Sequence, residues 1–388
     1  MTTIINNENK KLNVPNLRFP EFQGEWEKCR LADVCSFFSG GTPSSSNKDF
    51  YGGNIPFIRS GELHKEETEL FITQSGYENS SAKMVEVGDL LLAMYGATSG
   101  DVAISKIKGA INQAILCIRT KHNNKFIESV WNKHVSKILV KYLQGGQGNL
   151  SADIVKRISF SLPSLAEQKK ISHLMQLIDV RIATQNKIID KLQSLIKGIV
   201  DCTILRKEKN AIVGDVCSIS EQIRAEANID DIITVRLHGK GVCKSSAENL
   251  QLGATQYYRR RAGQLIYGKQ NFHNGAIGIV PISLDNGITS KDIPSFDIDE
   301  MKCNSVYLLA QLQSPQYYKP AEALTTGTGS KRLKEETFLK MPIVLPNKRE
   351  QDNIAVLIHR VSMNLGHAKK LLELLSIQKQ FLLRQMFI

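Results

Sequence analysis

Leu162-Pro163-Ser164-Leu165-Ala166-Glu167-Gln168 returns as Leu345-Pro346-Asn347-Lys348-Arg349-Glu350-Gln351, 183 residues later. In each copy Leu-Pro closes an extended stretch, because a proline biases the residue before it away from helical geometry. The glutamate then falls in the first turn of a helix, where a carboxylate complements the positive end of the dipole. At the same offset Ile171 falls on Ile354, Leu174 on Leu357, Ile178 on Val361, Ile188 on Leu371, Leu192 on Leu375 and Ile199 on Leu382. No proline interrupts residues 164–205, and apolar residues recur there in steps of three and four. The expected seam is therefore Ile171, Leu174, Ile178, Ile188, Leu192, Leu195 and Ile199, answered by Ile354, Leu357, Val361, Leu371, Leu375 and Leu382. Roughly forty residues at ~1.5 Å each make a rod of about 60 Å, too long for an ordinary globular helix. Arg181 and Gln185 break the first seam where Asn364 and Ala368 stand in the second; a polar seam position fixes register and partner. Equivalent seams predict that the two helices pair with each other, antiparallel, as a coiled coil.

Upstream of each helix the repeat continues in fainter form. Gly146 falls on Gly329 and Leu150 on Leu333, and Asp33-Val34-Cys35 answers Asp215-Val216-Cys217. Gly88-Asp89-Leu90-Leu91 then Tyr95-Gly96 resemble Gly263-Gln264-Leu265-Ile266 then Tyr267-Gly268, with a changed gap. Two copies of one unit of roughly 180 residues explain this order. The front parts carry short β-type runs, such as 55–58, 90–95 and 115–118, then 232–235, 264–267 and 276–280. Gly, Ser, Asn and Pro clusters separate them, and helical stretches such as 126–131 mix in. The fold class is α+β: two globular domains in tandem, each followed by a long helix. The boundaries expected are an arm at 1–24, domains at 25–161 and 207–344, and helical spacers at 162–206 and 345–388.

Fifty Lys+Arg against 38 Asp+Glu give a net charge of +12 and favour a polyanionic partner, because neutralising phosphates releases condensed counterions. Seven cysteines are scattered without a Cys-x-x-Cys pair, which points to reduced, mostly buried thiols rather than a zinc ribbon or a disulfide framework. The first fourteen residues carry no apolar signal core, and no run reaches the ~20 apolar residues of a membrane span. A cytoplasmic protein without membrane partners is expected.

The opening Pro15-Asn16-Leu17-Arg18-Phe19-Pro20-Glu21-Phe22 followed by Trp26, the doubled Leu-Pro-x-x-x-Glu-Gln, and the order domain, helix, domain, helix together resemble the specificity subunit of Type I restriction–modification systems. The resemblance covers nearly the whole chain and is weakest in the target-recognition domains, which vary greatly within that family. It implies a non-catalytic subunit that reads an asymmetric, bipartite site on double-stranded DNA, with the paired helices as a ruler. It further implies two methyltransferase subunits carrying S-adenosylmethionine, joined by motor-nuclease subunits that use ATP and Mg²⁺, and no cofactor in this chain. The helix starts at Glu167 and Glu350 would lie near the methyltransferase subunits. A stand-alone DNA-binding regulator and a coiled-coil scaffold are the alternative readings of the same two-domain plan.

The residues agree that this chain does no chemistry. No two prolines are adjacent, so the Asn/Asp-Pro-Pro-Tyr loop that holds a flipped adenine is missing. Gly263-Gln264-Leu265-Ile266-Tyr267-Gly268-Lys269 mimics a phosphate loop but continues with Gln270 and has an apolar, strand-like interior. Asp292 with Glu300-Met301-Lys302 imitates a nuclease triplet but has no counterpart in the first copy. The eight histidines, among them His64, His238 and His273, show no metal-ligand spacing.

Base edges are read by Arg, Lys, Asn, Gln, Ser and Thr, and phosphates by Lys, Arg and backbone amides. Candidates in the first domain are Ser44, Ser45, Ser46, Asn47, Lys48, Arg59, Ser60, Thr98 and Gln113, with Gln147 and Asn149 in a Gly-rich loop that could approach the DNA backbone closely. In the second domain they are Arg236, His238, Lys240, Tyr257, Tyr258, Arg259, Arg260, Arg261, Lys269, Gln270 and Asn271, with Thr326, Ser330, Lys331 and Arg332 in the second Gly-rich loop. The triple arginine beside two tyrosines is the strongest of these for contact with phosphates.

Overall fold

The computed structural model describes residues 12–143, 149–245, 255–327 and 331–388. Contacts divide these into two units, one running to Gln185 and adding Leu371–Ile388, the other Asn186–Lys370. Each unit therefore holds the beginning of one long helix and the end of the other. The helices are Leu165–Val200 and Lys348–Met386, and they pack together. Among the described residues no helix is long and apolar enough to cross a membrane.

Both units are built on the same antiparallel sheet. In the first, the strands run Cys35–Ser39, Ile115–Thr120, Leu90–Ala93, Val102–Ile104; in the second, Cys217–Ile219, Ser295–Ile298, Leu265–Tyr267, Ile277–Ile279. Their chain order is the same in both cases. Asp33 and Asp215 act alike, their carboxylates accepting from the amides of Arg30 and Ile212 just before each sheet begins. Gly88 and Gly263 adopt positive φ before the central strand, at 99° and 87°, a conformation glycine reaches at no steric cost. Leu150 and Leu333 are both buried, their amides donating to Met94 and Lys269. The Tyr-Gly match does not hold: Tyr95 is exposed beyond its strand, whereas Tyr267 lies inside the central strand and is buried. The register of the sheets sets Tyr267 opposite Ile277 and Leu92 opposite Val102, so Leu92 is its counterpart.

Around this shared sheet the units diverge. The first adds a mixed sheet in the order Phe71–Ile72, Tyr51–Ile58, Gly109–Ile111, Lys83–Val85. The second adds a three-stranded sheet, Arg224–Ala225, Tyr257–Arg259, Ile288–Ser290, and a hairpin of Ile233–Val235 with Val242–Lys244. A helix of twenty residues, Asn124–Leu143, follows the first sheet, while eight residues, Ser305–Leu312, serve the second. Each front part is closed by its own first and last strands, Glu27–Arg30 with Ser159–Leu162, and Ala211–Ile212 with Pro342–Ile343.

The seam needs a correction of one residue at several positions. The buried or half-buried positions that recur in strict steps of four and three on the first helix are Ile171, Met175, Ile178, Ile182, Gln185, Ile189, Leu192, Ile196 and Ile199. On the second they are Ile354, Ile358, Val361, Leu365, Ala368, Leu372, Leu375, Lys379 and Leu382. Ile188, Leu195, Leu357 and Leu371 are 41–50% exposed. Leu174 is half-buried and packs on the core of the first domain. The cause is a degenerate pattern, because Leu174/Met175, Ile188/Ile189, Leu195/Ile196, Leu357/Ile358 and Leu371/Leu372 are all apolar pairs. Arg181 and Asn364 are exposed and lie off the seam, whereas Gln185 and Ala368 are buried in it.

The doubled Glu-Gln shows which of its residues carries the repeat. Gln168 accepts from the amide of Asn123 and donates to the Pro163 carbonyl; Gln351 accepts from Asn304 and donates to Pro346. Both glutamines are buried, so each ties the start of the long helix to the start of the helix that follows the sheet. The glutamates differ. Glu350 is partly exposed and pairs with Lys207. Glu167 is buried, taking Nε and Nη2 of Arg18 at 2.8 Å each and Trp26 Nε1 at 3.3 Å. Complementing the helix dipole is thus a sufficient account of Glu350 alone; Glu167 anchors the N-terminal arm.

Candidate nucleic-acid interface

In the first unit, Ser44, Ser45, Ser46 and Lys48 are exposed on a turn before the long strand Tyr51–Ile58. The Ser44 and Ser46 hydroxyls bond each other at 2.7 Å, and Asn47 caps the short helix Lys48–Phe50 by accepting from the Asp49 amide. Gln113 is exposed and accepts from the Thr42 hydroxyl at 2.5 Å, which brings two loops together. Thr98 and Ser60 are half-buried in short turns, and Asn149 is exposed. Gln147 lies outside the described residues. Arg59 is committed elsewhere: its guanidinium donates to Glu62 at 3.0 and 3.1 Å and to Glu69 at 3.1 Å. Burial opposes ionisation of Glu62, but the hydrogen bonds from Arg59, the backbone and Thr68 prevail and hold its carboxyl at about 2. Arg59 therefore braces a turn, and its exposed neighbours are the groups free to meet a ligand.

In the second unit the arginine run begins on the last residue of the strand Tyr257–Arg259 and continues past it. Arg259 and Arg261 are exposed, whereas Tyr257 and Arg260 are buried. Arg260 and Arg261 follow the end of the strand, and the Arg260 amide donates to the Gly287 carbonyl at 2.7 Å. Arg260 is 0% exposed. It donates to the Thr289 hydroxyl at 2.7 Å, the Ser295 hydroxyl at 3.0 Å and the Ile293 carbonyl at 2.9 Å, and burial pushes it down to about 10. Neutral acceptors satisfy it, so Arg260 and Tyr257 knit the three-stranded sheet and are withdrawn as phosphate contacts. Tyr258 is half-buried, with the Arg260 guanidinium 5.7 Å from its ring centre.

Arg236, His238 and Lys240 sit on the exposed turn of the Val235–Val242 hairpin, His238 with φ of 60°. The Arg236 Nε lies 3.0 Å from the Cys243 sulfur. Lys269 is largely covered and pairs with Glu335 at 2.7 Å, leaving Gln270 and Asn271 exposed beside it. Thr326 and Arg332 bridge each other through their backbones, and Arg332 pairs with Asp292 at 3.1 Å; Lys331 is exposed. Ser330 lies outside the described residues. The exposed groups therefore form three clusters, on the hairpin turn, on the Arg259/Arg261 strand and beside Lys269.

The imitations of catalytic motifs have structural explanations. Leu265–Tyr267 is the central buried strand, so Gly263–Lys269 cannot fold around a phosphate. Asp292 is engaged by Arg332, and Lys302 by Asp299 at 3.3 Å. Among the described residues no group of His, Cys, Asp and Glu could hold a metal ion. The cysteines are free; Cys117, Cys217 and Cys303 are buried, three are half-buried and Cys202 is exposed.

Residues 23–194 match the family described as Type I restriction modification DNA specificity domain. The MjaVIII specificity subunit of Methanocaldococcus jannaschii, a Type I restriction enzyme subunit, is 21% identical over 87% of this chain and 86% of its own. The HindI specificity subunit of Haemophilus influenzae is 29% identical over 39% of this chain and 34% of its own. Among solved structures, the S subunit of a Type I restriction–modification system from M. genitalium shares the fold with a TM-score of 0.64 at 12% identity, covering 97% of this chain and 99% of that one. Taken with the twice-built unit and its two helix starts, these likenesses show that the chain belongs to the DNA specificity subunits of Type I restriction–modification systems, whose part in the complex is non-catalytic.

Proposed function

We propose that the domains at 25–161 and 207–344 each read one half of an asymmetric site on double-stranded DNA, while the spacers at 162–206 and 345–388 set the gap between the halves. The observation that carries this reading is one sheet built twice with different reading surfaces around it. Around that sheet stand Ser44–Lys48 and Gln113 in one unit, and the hairpin turn Arg236–Lys240 with Arg259 and Arg261 in the other. Equal scaffolds with unequal loops recognise unequal half-sites, because specificity resides in the groups that reach base edges.

The spacers also leave an apolar surface uncovered. Leu177, Val180, Ile188 and Leu195 are exposed on the first long helix, and Val356, Met363, Leu374, Ile377 and Phe381 on the second. Exposed apolar stripes of this length mark a protein interface. Two methyltransferase subunits are the partners this reading assigns to them, bringing S-adenosylmethionine and the adenine chemistry. Motor-nuclease subunits, which use ATP and Mg²⁺, complete the assembly. The specificity subunit contributes no cofactor.

Mapping methylated adenines in cells with and without this chain tests the assignment, the expected outcome being one bipartite motif that disappears with it. Inserting seven residues into both helices, after Gln185 and after Ala368, keeps the seam in register and adds about 10 Å. The motif's gap should lengthen by about three base pairs at ~3.4 Å each; an unchanged gap refutes the ruler.

A further inference from the structure

Beside the end of the first unit's long side helix lies a groove of about 320 Å³, lined by His134, Lys137, Ile138, Lys141, Arg157, Ile158, Ser159 and Phe160. Four of these carry basic side chains and none is a carboxylate. His134 and Lys137 stand within one helical turn of each other, and Lys141 follows one turn later on the same helix, Asn124–Leu143. Arg157 comes from the end of the helix Ala152–Arg157, where the Ser151 hydroxyl caps the first turn. Lys137 and Arg157 are exposed, and among the described residues neither forms an ion pair.

The rear of the groove is fixed. His134 stacks on Phe160, with ring centres 5.8 Å apart, and its Nε2 lies 2.8 Å from the Ile388 carbonyl oxygen. Lys133, one position earlier, donates to the Phe387 carbonyl. Burial lowers the His134 imidazole, so the rim lysines and arginine supply the charge while the histidine holds the wall. In the second unit the corresponding helix ends at Leu312 after eight residues.

We propose that this groove is a phosphodiester-binding site, which grips the DNA backbone from the first unit without reading sequence. The proposal rests on the DNA-reading function above. Lys141 and Arg157 flank, in the chain, the Gly-rich stretch expected to approach that backbone. A groove with Lys137 and Arg157 exposed at its rim and no carboxylate in its lining has the chemistry of phosphate contacts, which position a protein on the duplex and carry no base information.

The test uses the full chain with its methyltransferase partner and a 30-base-pair duplex carrying the mapped motif. Affinity is measured across a potassium chloride series for the wild type, for K137E/R157E and for a control of equal charge, K83E/K108E. Each phosphate contact adds about 0.9 to the slope of log affinity against log salt. The groove variant should lose about two in slope and at least about tenfold in affinity relative to the control, while methylating the same motif. A slope equal to the control's overturns the groove and leaves the DNA-reading function standing. A changed motif also overturns it, because the groove would then be reading bases. A wild type that does not bind the duplex removes both readings together.

Discussion

The two units solve the same mechanical problem with different chemistry. In the first, Asp179 on one long helix takes Lys125 from the domain and Lys379 from the other long helix, each at 2.6 Å, and Lys125 also pairs with Glu128. Burial alone would raise the Asp179 carboxyl, but the hydrogen bonds from both lysines hold it below its ordinary value. At the matching places of the second unit stand Ser362, Val306 and Ile196, none of them charged. The glutamates at the helix starts differ in the same sense, one buried against Arg18 and one partly exposed beside Lys207. An ion-paired junction is costly to break from one side, whereas an apolar one fails by losing contact area. The repeat thus preserved geometry while the forces that maintain it were exchanged.

The sharpest way to break this comparison is at the glutamates. Glu167→Gln leaves Arg18 without its carboxylate and should destabilise the first unit by about 3 kcal/mol; Glu350→Gln should cost less than about 1 kcal/mol. Both tryptophans, Trp26 and Trp131, are buried in the first unit, so their emission during urea unfolding follows that unit, and circular dichroism follows the whole chain. Equal losses would mean that the burial of Glu167 has been misjudged.

The corrected seam predicts the next largest contrast. Ile189→Ala should cost about 2–3 kcal/mol as a buried deletion, while Ile188→Ala should stay within about 0.5 kcal/mol as a surface change. The reverse order in thermal melts would restore the alternative register. Smaller, and specific to pH, is Asp179. Because its folded-state pKa is lowered, its contribution is complete above the unfolded value of ~3.9 and is lost as pH falls through the folded value. Acid titration of Asp179→Asn should therefore show a shallower loss of stability below pH ~4 than the wild type, from a starting point about 1.5 kcal/mol lower. Parallel curves would rule out the charged junction.

Period and punctuation made the scaffold readable. A doubled Leu-Pro with a proline-free apolar pattern behind it constrains the backbone so strongly that two long helices were the natural expectation. The register was not readable, because Ile188/Ile189 and its analogues offer two apolar faces and only contact with the partner chooses between them. The part played by Gln168 and Gln351 was not readable either: a buried amide bonding two backbone groups has no signature in sequence apart from its repetition. The site was legible only in type. Which of three consecutive arginines turns inward was not readable, because Arg260 lies past its strand and meets Thr289, Ser295 and Ile293 only through the fold. Lys269 could not be excluded from sequence, because Glu335 reaches it through the fold, whereas Arg59 has a local partner three residues on in Glu62.

The buried glutamines at the helix starts have an angular consequence. With each domain fastened to the first turn of a helix, adding residues turns that domain about the rod by ~100° apiece, and only whole heptads restore its bearing. DNA keeps a different clock, advancing one turn per ~10.5 base pairs. If the spacers set the gap as proposed, a heptad that lengthens the rod by about three base pairs leaves the second half-site about a third of a turn out of phase. Three heptads, close to a full turn of DNA, bring rod and duplex back into step, so methylation should weaken with one added heptad and recover with three.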